Sequence, residues 1–275
     1  MKKTSLLACL LLGFAAAFAQ ADAPLFRFGA IADVQYCDCD PGPTRFYRDS
    51  PQKLEAALAD LAGEEPAFIV HLGDVIDKDF DSYAEIMPYF EKAQAPLHFV
   101  LGNHEFSVAD SLKAQVPGLL GRARRYDDFS VKGWRFVLTD GNENSLFAWP
   151  AGSRPYRKAQ RALAQYSENQ APQAQAWNGG MSSRQVKWLR KVLMHNLWND
   201  AEVVALLEAS PHVVAWMSGH NHAGGYTLQN GIHYLILHGM VETPDTTAYA
   251  VVDVYADRLV VRGRGREPLR VMQLK

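Results

Sequence analysis

The chain has 275 residues, with 28 basic and 30 acidic side chains and a formal net charge of -2. This balance argues against a nucleic-acid-binding protein that is held to its target by charge. Of three cysteines, Cys37 and Cys39 lie too close in sequence for an ordinary structural staple, so no disulfide framework is expected. We expect free or loop-local cysteines there, with a soft-metal pair as the alternative.

The first 21 residues are predicted to be a secretory signal peptide. Lys2-Lys3 forms the basic start, an apolar run follows at 6–18, and Ala19-Gln20-Ala21 is a small-x-small cleavage site. The run is shorter than the ~20 apolar residues that a spanning helix needs, and a retained anchor is the alternative. We therefore expect a bacterial protein exported to the periplasm or secreted, without membrane contact after cleavage. Residues 22–275 suit one α/β domain, which we expect to be a monomer.

Three short apolar segments are predicted to be strands, and each one ends in polar side chains. They lie at 25–32, 67–72 and 97–101, and they lead into Asp33-Val34-Gln35, Gly73-Asp74 and Gly102-Asn103-His104. Helices predicted at 50–62 and 83–93 separate the strands, which is the pattern of a parallel sheet. Because the carboxyl ends of parallel strands lie at one edge, these polar side chains are expected to meet.

A fourth polar stretch, Gly219-His220-Asn221-His222, follows an apolar run at 213–216 and precedes a glycine-rich turn. Two imidazoles one residue apart at a strand end are typical ligands of a transition metal. The alternative is a pair of solvated loop histidines.

The combined residue types indicate a site for two divalent ions. Asp74 is the candidate carboxylate that bridges ions about 3.5–4 Å apart. Further hard and borderline ligands are supplied by Asp33, Asn103, His220 and His222. These ligands suit manganese, iron or zinc, with magnesium as a further alternative. Such a pair of ions binds phosphoryl oxygens and makes a bound water more acidic.

His104 is the candidate catalytic residue. It follows Asn103 directly and would protonate the leaving oxygen, whereas a structural histidine is the alternative. Asp77 and Glu105 are expected to orient the ligands without binding metal.

Four motifs resemble those of the calcineurin-like metallophosphoesterases: Asp33-x-Gln35, Gly73-Asp74-x-x-Asp77, Gly102-Asn103-His104-Glu105 and Gly219-His220-x-His222. Glutamine at 35 replaces a histidine that most of that family carries. With Asn178-Gly179-Gly180 and Gly263-Arg264-Gly265-Arg266, it makes the chain similar to the manganese-dependent ADP-ribose/CDP-alcohol diphosphatases.

The resemblance implies an α+β fold, a four-layer β-sandwich flanked by helices. It also implies a two-metal site that hydrolyses a phosphoanhydride or phosphodiester in a nucleoside-diphosphate-linked small molecule. One ion would be held by Asp33, Gln35, Asp74 and His222. The other would be held by Asp74, Asn103 and His220. A phosphomonoesterase or a cyclic-nucleotide phosphodiesterase of the same fold is the alternative activity.

The middle of the chain adds less chemistry. A hairpin is predicted at 126–130 and 134–140, with Asp140 at its end on the substrate side. Residues 153–175 are expected to be helical. Their arginines, Arg154, Arg157 and Arg161, would contact a phosphate or, as the alternative, form a solvated helix face.

The chain departs from the family pattern after Leu193. A helix capped by Ser182-Ser183 runs almost directly into another at 201–209. The family has a buried strand here that ends in a metal-binding histidine, and both are predicted to be missing. His195 is the only nearby histidine, and the residues around it are unlike those expected around a replacement for the missing metal-binding histidine. The second ion is therefore expected to bind weakly, and a catalytically impaired metal-binding relic is an alternative to the enzyme.

The last stretch is predicted to form strands. Residues 232–237 lead to His238, which lies near the site or in the core, and 248–255 pair with 258–262. Three aromatic residues could stack on a base or belong to the core, namely Trp177, Trp216 and Tyr249.

Overall fold

The structure is a computed structural model that describes residues 23–192 and 200–274, with no side chains described from 190 to 203. The predicted signal peptide and His195 lie outside this part. The described chain contains β1 (Phe26–Ile31), β2 (Ile69–His71), β3 (Leu97–Phe99), β4 (Asp127–Val131), β5 (Trp134–Leu138), β6 (Ala215–Ser218), β7 (Gly225–Gln229), β8 (Ile232–Ile236), β9 (Ala248–Val254), β10 (Arg258–Gly265) and β11 (Arg270–Gln273). Its helices are α1 (Ser50–Gly63), α2 (Asp81–Phe90), α3 (Val116–Leu119), α4 (Arg154–Glu168), α5 (Ser183–Val192) and α6 (Asp200–Glu208).

The larger sheet has six strands in the order β11-β10-β9-β1-β2-β3. The strands β1, β2 and β3 run parallel, with Ile31 beside His71 and His71 beside Phe99. The remaining three are antiparallel to their neighbours. The three parallel strands therefore end at one edge, as the sequence predicted, and the polar residues that follow them meet there.

Both faces of this sheet are covered. On one face α1 and α2 contribute the buried side chains Leu54, Leu58, Leu61, Tyr83, Ile86 and Phe90. The other face packs against the hairpin β4–β5 and the sheet β6-β8-β7, through residues that include Phe28, Phe68, Val70, Phe136 and Leu235. Outside these, α5 and α6 pack through Val186, Leu189 and Leu207 against Ile232. This is the predicted layered arrangement of two sheets between helices.

The second layer of strands is interrupted. Within the described residues, β5 pairs only with β4 and β6 pairs only with β8. A cavity of about 990 Å³, here called the central cavity, lies between them. All residues at 133–139 and 212–221 line it. Since alternate residues of a strand point to opposite faces, lining by consecutive residues means that the cavity runs along the strand edges. This arrangement agrees with the predicted loss of an interior strand.

Two strands were not predicted from the sequence, namely β7 and β11. Four of the five β7 residues are exposed, so the strand lacks an apolar face that alternation could reveal. The helical prediction at 153–175 is too long, because α4 ends at Glu168. The other predicted strands, helices and hairpins are present with shifts of a few residues at their ends. In the described part of the chain, no helix is both long and apolar enough to cross a membrane.

Cys37 and Cys39 are joined by a disulfide, with Cα atoms 5.2 Å apart. Because the bond spans only its own turn, it does not tie distant parts of the fold together. The soft-metal alternative for this pair is therefore wrong in this structure, since the two sulfur atoms are bonded to each other.

Candidate functional site

The predicted metal ligands gather where strands of both layers end. Four of them line the central cavity, namely Asp33, Asp74, Asn103 and His220. The other two, Gln35 and His222, are buried, and His222 Nε2 lies 3.6 Å from Asp33 Oδ1. The cavity therefore joins a polar end that carries the candidate ligands to an apolar floor formed by the larger sheet.

Four of the candidate ligands have an unusual backbone conformation. The φ angles of Asp33, Gln35, Asp74 and His220 are 52°, 43°, 60° and 74°. Residues other than glycine rarely adopt this left-handed region, and such strain concentrates at functional sites. The conformation makes a sharp turn directly after each strand, at the end of the sheet where the candidate ligands lie.

Two glycines allow the loops to approach the carboxylates closely. A Cβ on Gly102 would lie 2.1 Å from Asp74 Oδ1, and a Cβ on Gly219 would lie 2.7 Å from Asp33 Oδ2. Both distances are shorter than any non-bonded contact that a Cβ normally makes, so these positions require glycine.

Hydrogen bonds fix the two aspartates. The backbone N–H of His220 donates to Asp33 Oδ1 at 3.0 Å, and that of His104 donates to Asp74 Oδ1 at 2.9 Å. Gln35 Nε2 donates to Asp74 Oδ2 at 3.4 Å, and its Oε1 is buried without a hydrogen-bond partner. A buried carbonyl oxygen with no partner is costly unless a cation or donor binds it.

Negative charge is concentrated and poorly compensated here. Burial, followed by repulsion from Asp74, raises the pKa of Asp33 well above its usual value. The same two causes raise the pKa of Glu105. Glu105 accepts the backbone N–H groups of Asp74 and Val75 at 3.0 and 2.7 Å, which fixes the backbone at Asp74. A divalent cation would relieve this repulsion.

His222 is oriented by a residue that sequence reasoning did not assign to the site. Its Nδ1–H donates to Glu242 Oε1 at 2.7 Å, which leaves Nε2 to face Asp33. Burial lowers the pKa of His222 and keeps the ring neutral, as a ligand requires. A carboxylate on the other ring nitrogen is the usual support of a metal-binding histidine. Arg45, also unassigned, lies 3.9 Å from both Glu242 and Asp77. No sequence motif links these two residues to the ligands.

His104 is held in one orientation. Its Nδ1 lies 2.8 Å from the Asp77 carbonyl oxygen and 3.3 Å from Asp77 Oδ1. Since a carbonyl only accepts, the Nδ1 atom carries a proton and Nε2 is left for a substrate. Asp77 therefore positions the His104 ring.

The other predicted residues lie around the site. Asp140 is fully buried and pairs with Arg125, while its neighbours Gly141 and Asn142 line the central cavity. Burial raises the pKa of Asp140. His238 Nδ1 contacts Glu267 at 2.9 Å, beside the ligand loop at Gly224. The three helical arginines are exposed, which favours the solvated face; they are Arg154, Arg157 and Arg161.

In residues 23–192 and 200–274, no group of three or more His, Cys, Asp or Glu side chains stands ready to hold a metal ion. The metal assignments of individual residues therefore stay predictions. The donor set nevertheless fits a divalent ion, because two buried carboxylates repel each other beside the unpartnered Gln35 Oε1 and the Nε2 of His222.

The fold and site define a class. The sequence model of the calcineurin-like phosphoesterases matches residues 26–224, and the chain belongs to this family. It is accordingly a metallophosphoesterase enzyme.

Within this family, the chain is similar to several individual proteins. The manganese-dependent ADP-ribose/CDP-alcohol diphosphatase of Mus musculus is 29% identical over 325 positions, which cover 94% of this chain and 96% of that protein. The protein of that name from Xenopus tropicalis is 30% identical over 315 positions, covering 88% and 92%. A dimetal phosphatase structure from Danio rerio is 27% identical with a TM-score of 0.80, covering 92% of this chain and all of that one.

The relatives also differ from this chain in length. An alignment of 325 positions is longer than this chain of 275 residues, so the mouse protein carries segments that have no counterpart here.

Proposed function

We propose that this protein hydrolyses the phosphoanhydride of nucleoside-diphosphate-linked small molecules, with ADP-ribose or CDP-alcohols as substrates and two divalent ions, preferably manganese, as cofactors. The observation that carries the proposal is that buried Asp33 and Asp74 lie at one end of the central cavity. There His222 Nε2 lies 3.6 Å from Asp33 Oδ1, and the His220 backbone N–H donates to Asp33. The names of the relatives support the substrate class.

The residues that would hold the ions fall into two groups. Asp33, Gln35, Asp74 and His222 would hold one ion. Asp74, Asn103 and His220 would hold the other. Bound divalent ions supply positive charge to the phosphoryl oxygens and make a water more acidic.

The chain itself handles the proton on the leaving group. His104 Nδ1–H is held by the Asp77 carbonyl, which leaves Nε2 for the substrate. When Nε2 is also protonated, the ring pairs with the Asp77 carboxylate and donates its Nε2 proton to the departing phosphate oxygen. Arg45 adds positive charge beside this pair.

The test is hydrolysis of ADP-ribose, CDP-glycerol and an aryl phosphodiester by the protein with and without manganese. We expect manganese-dependent turnover of the first two, lowered about 10²–10⁴-fold in His104→Ala. The matched control is His212→Ala, which changes an exposed histidine at the far end of the cavity. No turnover of any substrate by a folded, manganese-binding protein would refute the proposal.

A second candidate, an impaired metal-binding relic, is favoured by the interrupted layer of strands. In this case the second ion is lost, since the candidate ligands Asn103 and His220 must hold it with Asp74 alone. Calorimetric titration with manganese separates the candidates: two tight sites favour the enzyme and one site favours the relic.

We also propose that the protein is exported. The pattern of the first 21 residues supports this, and so does the Cys37–Cys39 bond, because disulfides persist mainly in oxidising compartments. Expression in a bacterium, followed by amino-terminal sequencing of the periplasmic fraction, should find a chain that begins at Asp22. Full-length protein in the cytoplasm alone would contradict export.

A further inference from the structure

One exposed aromatic residue stands out at the central cavity. The described part of the chain exposes seven large apolar side chains, namely Leu25, Leu119, Trp177, Tyr226, Leu228, Leu269 and Val271. Trp177 is 57% exposed and is the only one of these seven that lines the cavity. The prediction that this residue belongs either to the core or to a base-binding surface is therefore resolved against the core.

The loop that carries Trp177 is fixed to the site. A Cβ on Gly179 would lie 2.2 Å from the Gly141 carbonyl oxygen, so the loop touches the segment after β5. The backbone N–H of Asn144 donates to the Gly180 carbonyl at 2.8 Å. Asn144 Nδ2 donates to Met181 O at 2.9 Å. These contacts hold the residues that directly follow Trp177 against residues 141–144.

The same segment reaches the loop of the candidate ligands. Asn142 Nδ2 donates to the carbonyl oxygens of Leu101 and Gly102, at 2.7 and 3.1 Å. The candidate ligand Asn103 and the candidate catalytic residue His104 directly follow Gly102 in the chain. Trp177 is thus held relative to the phosphate-cleaving end of the cavity by two successive sets of hydrogen bonds.

The chemistry of this region suits a nucleobase. An indole presents a flat π surface on which purines and pyrimidines both stack. Its neighbours in the cavity lining are the amide residues Gln173 and Asn178, and Asn178 Nδ2 donates to the Gln173 carbonyl at 2.9 Å. Amide groups next to a stacking surface supply donors and acceptors for the edge of a base.

We propose that Trp177 stacks on the base of the nucleotide while the diphosphate lies at the aspartates. This inference rests on the proposed function for its substrate class. Trp177 is then a substrate-binding residue that acts on affinity, and His104 remains the residue that acts on the chemical step.

The experiment compares the wild-type protein with Trp177→Ala and Trp177→Phe. Steady-state kinetics are measured with ADP-ribose and with a base-free aliphatic diphosphate diester. We expect Trp177→Ala to raise KM for ADP-ribose roughly 5- to 150-fold, and Trp177→Phe to restore part of the loss. Turnover of the base-free substrate should change less than about twofold. Leu228→Ala, at a residue that is 55% exposed and outside the cavity lining, is the matched control.

A binding measurement separates this inference from the proposed function. Calorimetric titration with AMP should show the same weakening in Trp177→Ala even if no substrate is turned over. Unchanged AMP affinity in Trp177→Ala would overturn the inference, and so would an equal loss on the base-free substrate. Absence of turnover together with weakened AMP binding would overturn only the proposed function.

Discussion

The close contact between Gly102 and Asp74 gives the sharpest prediction, for the substitution Gly102→Ala. The added Cβ would lie 2.4 Å from the Asp74 backbone nitrogen and 2.7 Å from Glu105 Oε2. A side-chain oxygen can rotate away, but a backbone nitrogen cannot. Reaching ordinary contact at 3.4 Å therefore moves the Asn103 loop and Asp74 apart by about 1 Å.

Two magnitudes follow from this shift. Overpacking of a buried site costs about 1–3 kcal/mol of stability, which lowers Tm by roughly 2–12 °C in a domain of this size. Displacing catalytic groups by 1 Å costs about 100-fold in rate. Thermal unfolding and manganese-dependent hydrolysis measure both effects.

The control is Gly63→Ala, because no atom lies within 4 Å of a Cβ at that position, which ends α1. This variant should keep wild-type turnover and change stability by at most about 1 kcal/mol. If Gly102→Ala behaves like Gly63→Ala in both assays, the argument that the loops need this close approach is refuted.

Three further predictions concern other parts of the fold. Glu242→Gln should weaken manganese affinity about 10- to 100-fold in calorimetry, because His222 loses its orienting carboxylate. Unchanged affinity would show that the Glu242 carboxylate is not needed to orient His222 for metal binding. Burial lowers the pKa of His71 to about 3, so the folded state binds fewer protons than the unfolded state and loses stability as pH falls below about 6.5. Urea denaturation at pH 7.5 and 5 should show this loss in the wild type and less of it in His71→Leu. In hydrogen exchange, amides of β5 and β6 should exchange faster than those of β1, because β5 and β6 each have one unpaired edge whereas β1 is paired on both sides. Equal protection would contradict the conclusion that these edges are unpaired.

The larger sheet could be predicted because its signal is local. Each parallel strand is a short apolar run followed by a polar turn, so the sequence locates Asp33, Asp74 and Asn103 at one edge. β7 was missed for the opposite reason, since it is exposed along most of its length and carries no apolar alternation.

Some of the residues that orient the candidate ligands could not be predicted from the sequence. Glu242 lies 20 residues after His222 on a different loop, and only the folded chain brings their side chains to 2.7 Å. The exposure of Trp177 was equally hidden, because an isolated tryptophan gives no pattern that distinguishes a core residue from a binding surface.

If Asp33, Gln35, Asp74 and His220 bind metal as proposed, their left-handed backbone sets thermal stability against activity at the same four positions. Each such conformation costs about 1–3 kcal/mol, which a glycine would recover. Selection for heat resistance alone should therefore enrich glycine at these positions and yield stable proteins without catalytic metal chemistry. A laboratory that evolves this enzyme for higher temperature should screen turnover in every round and take its stabilising changes from the surface.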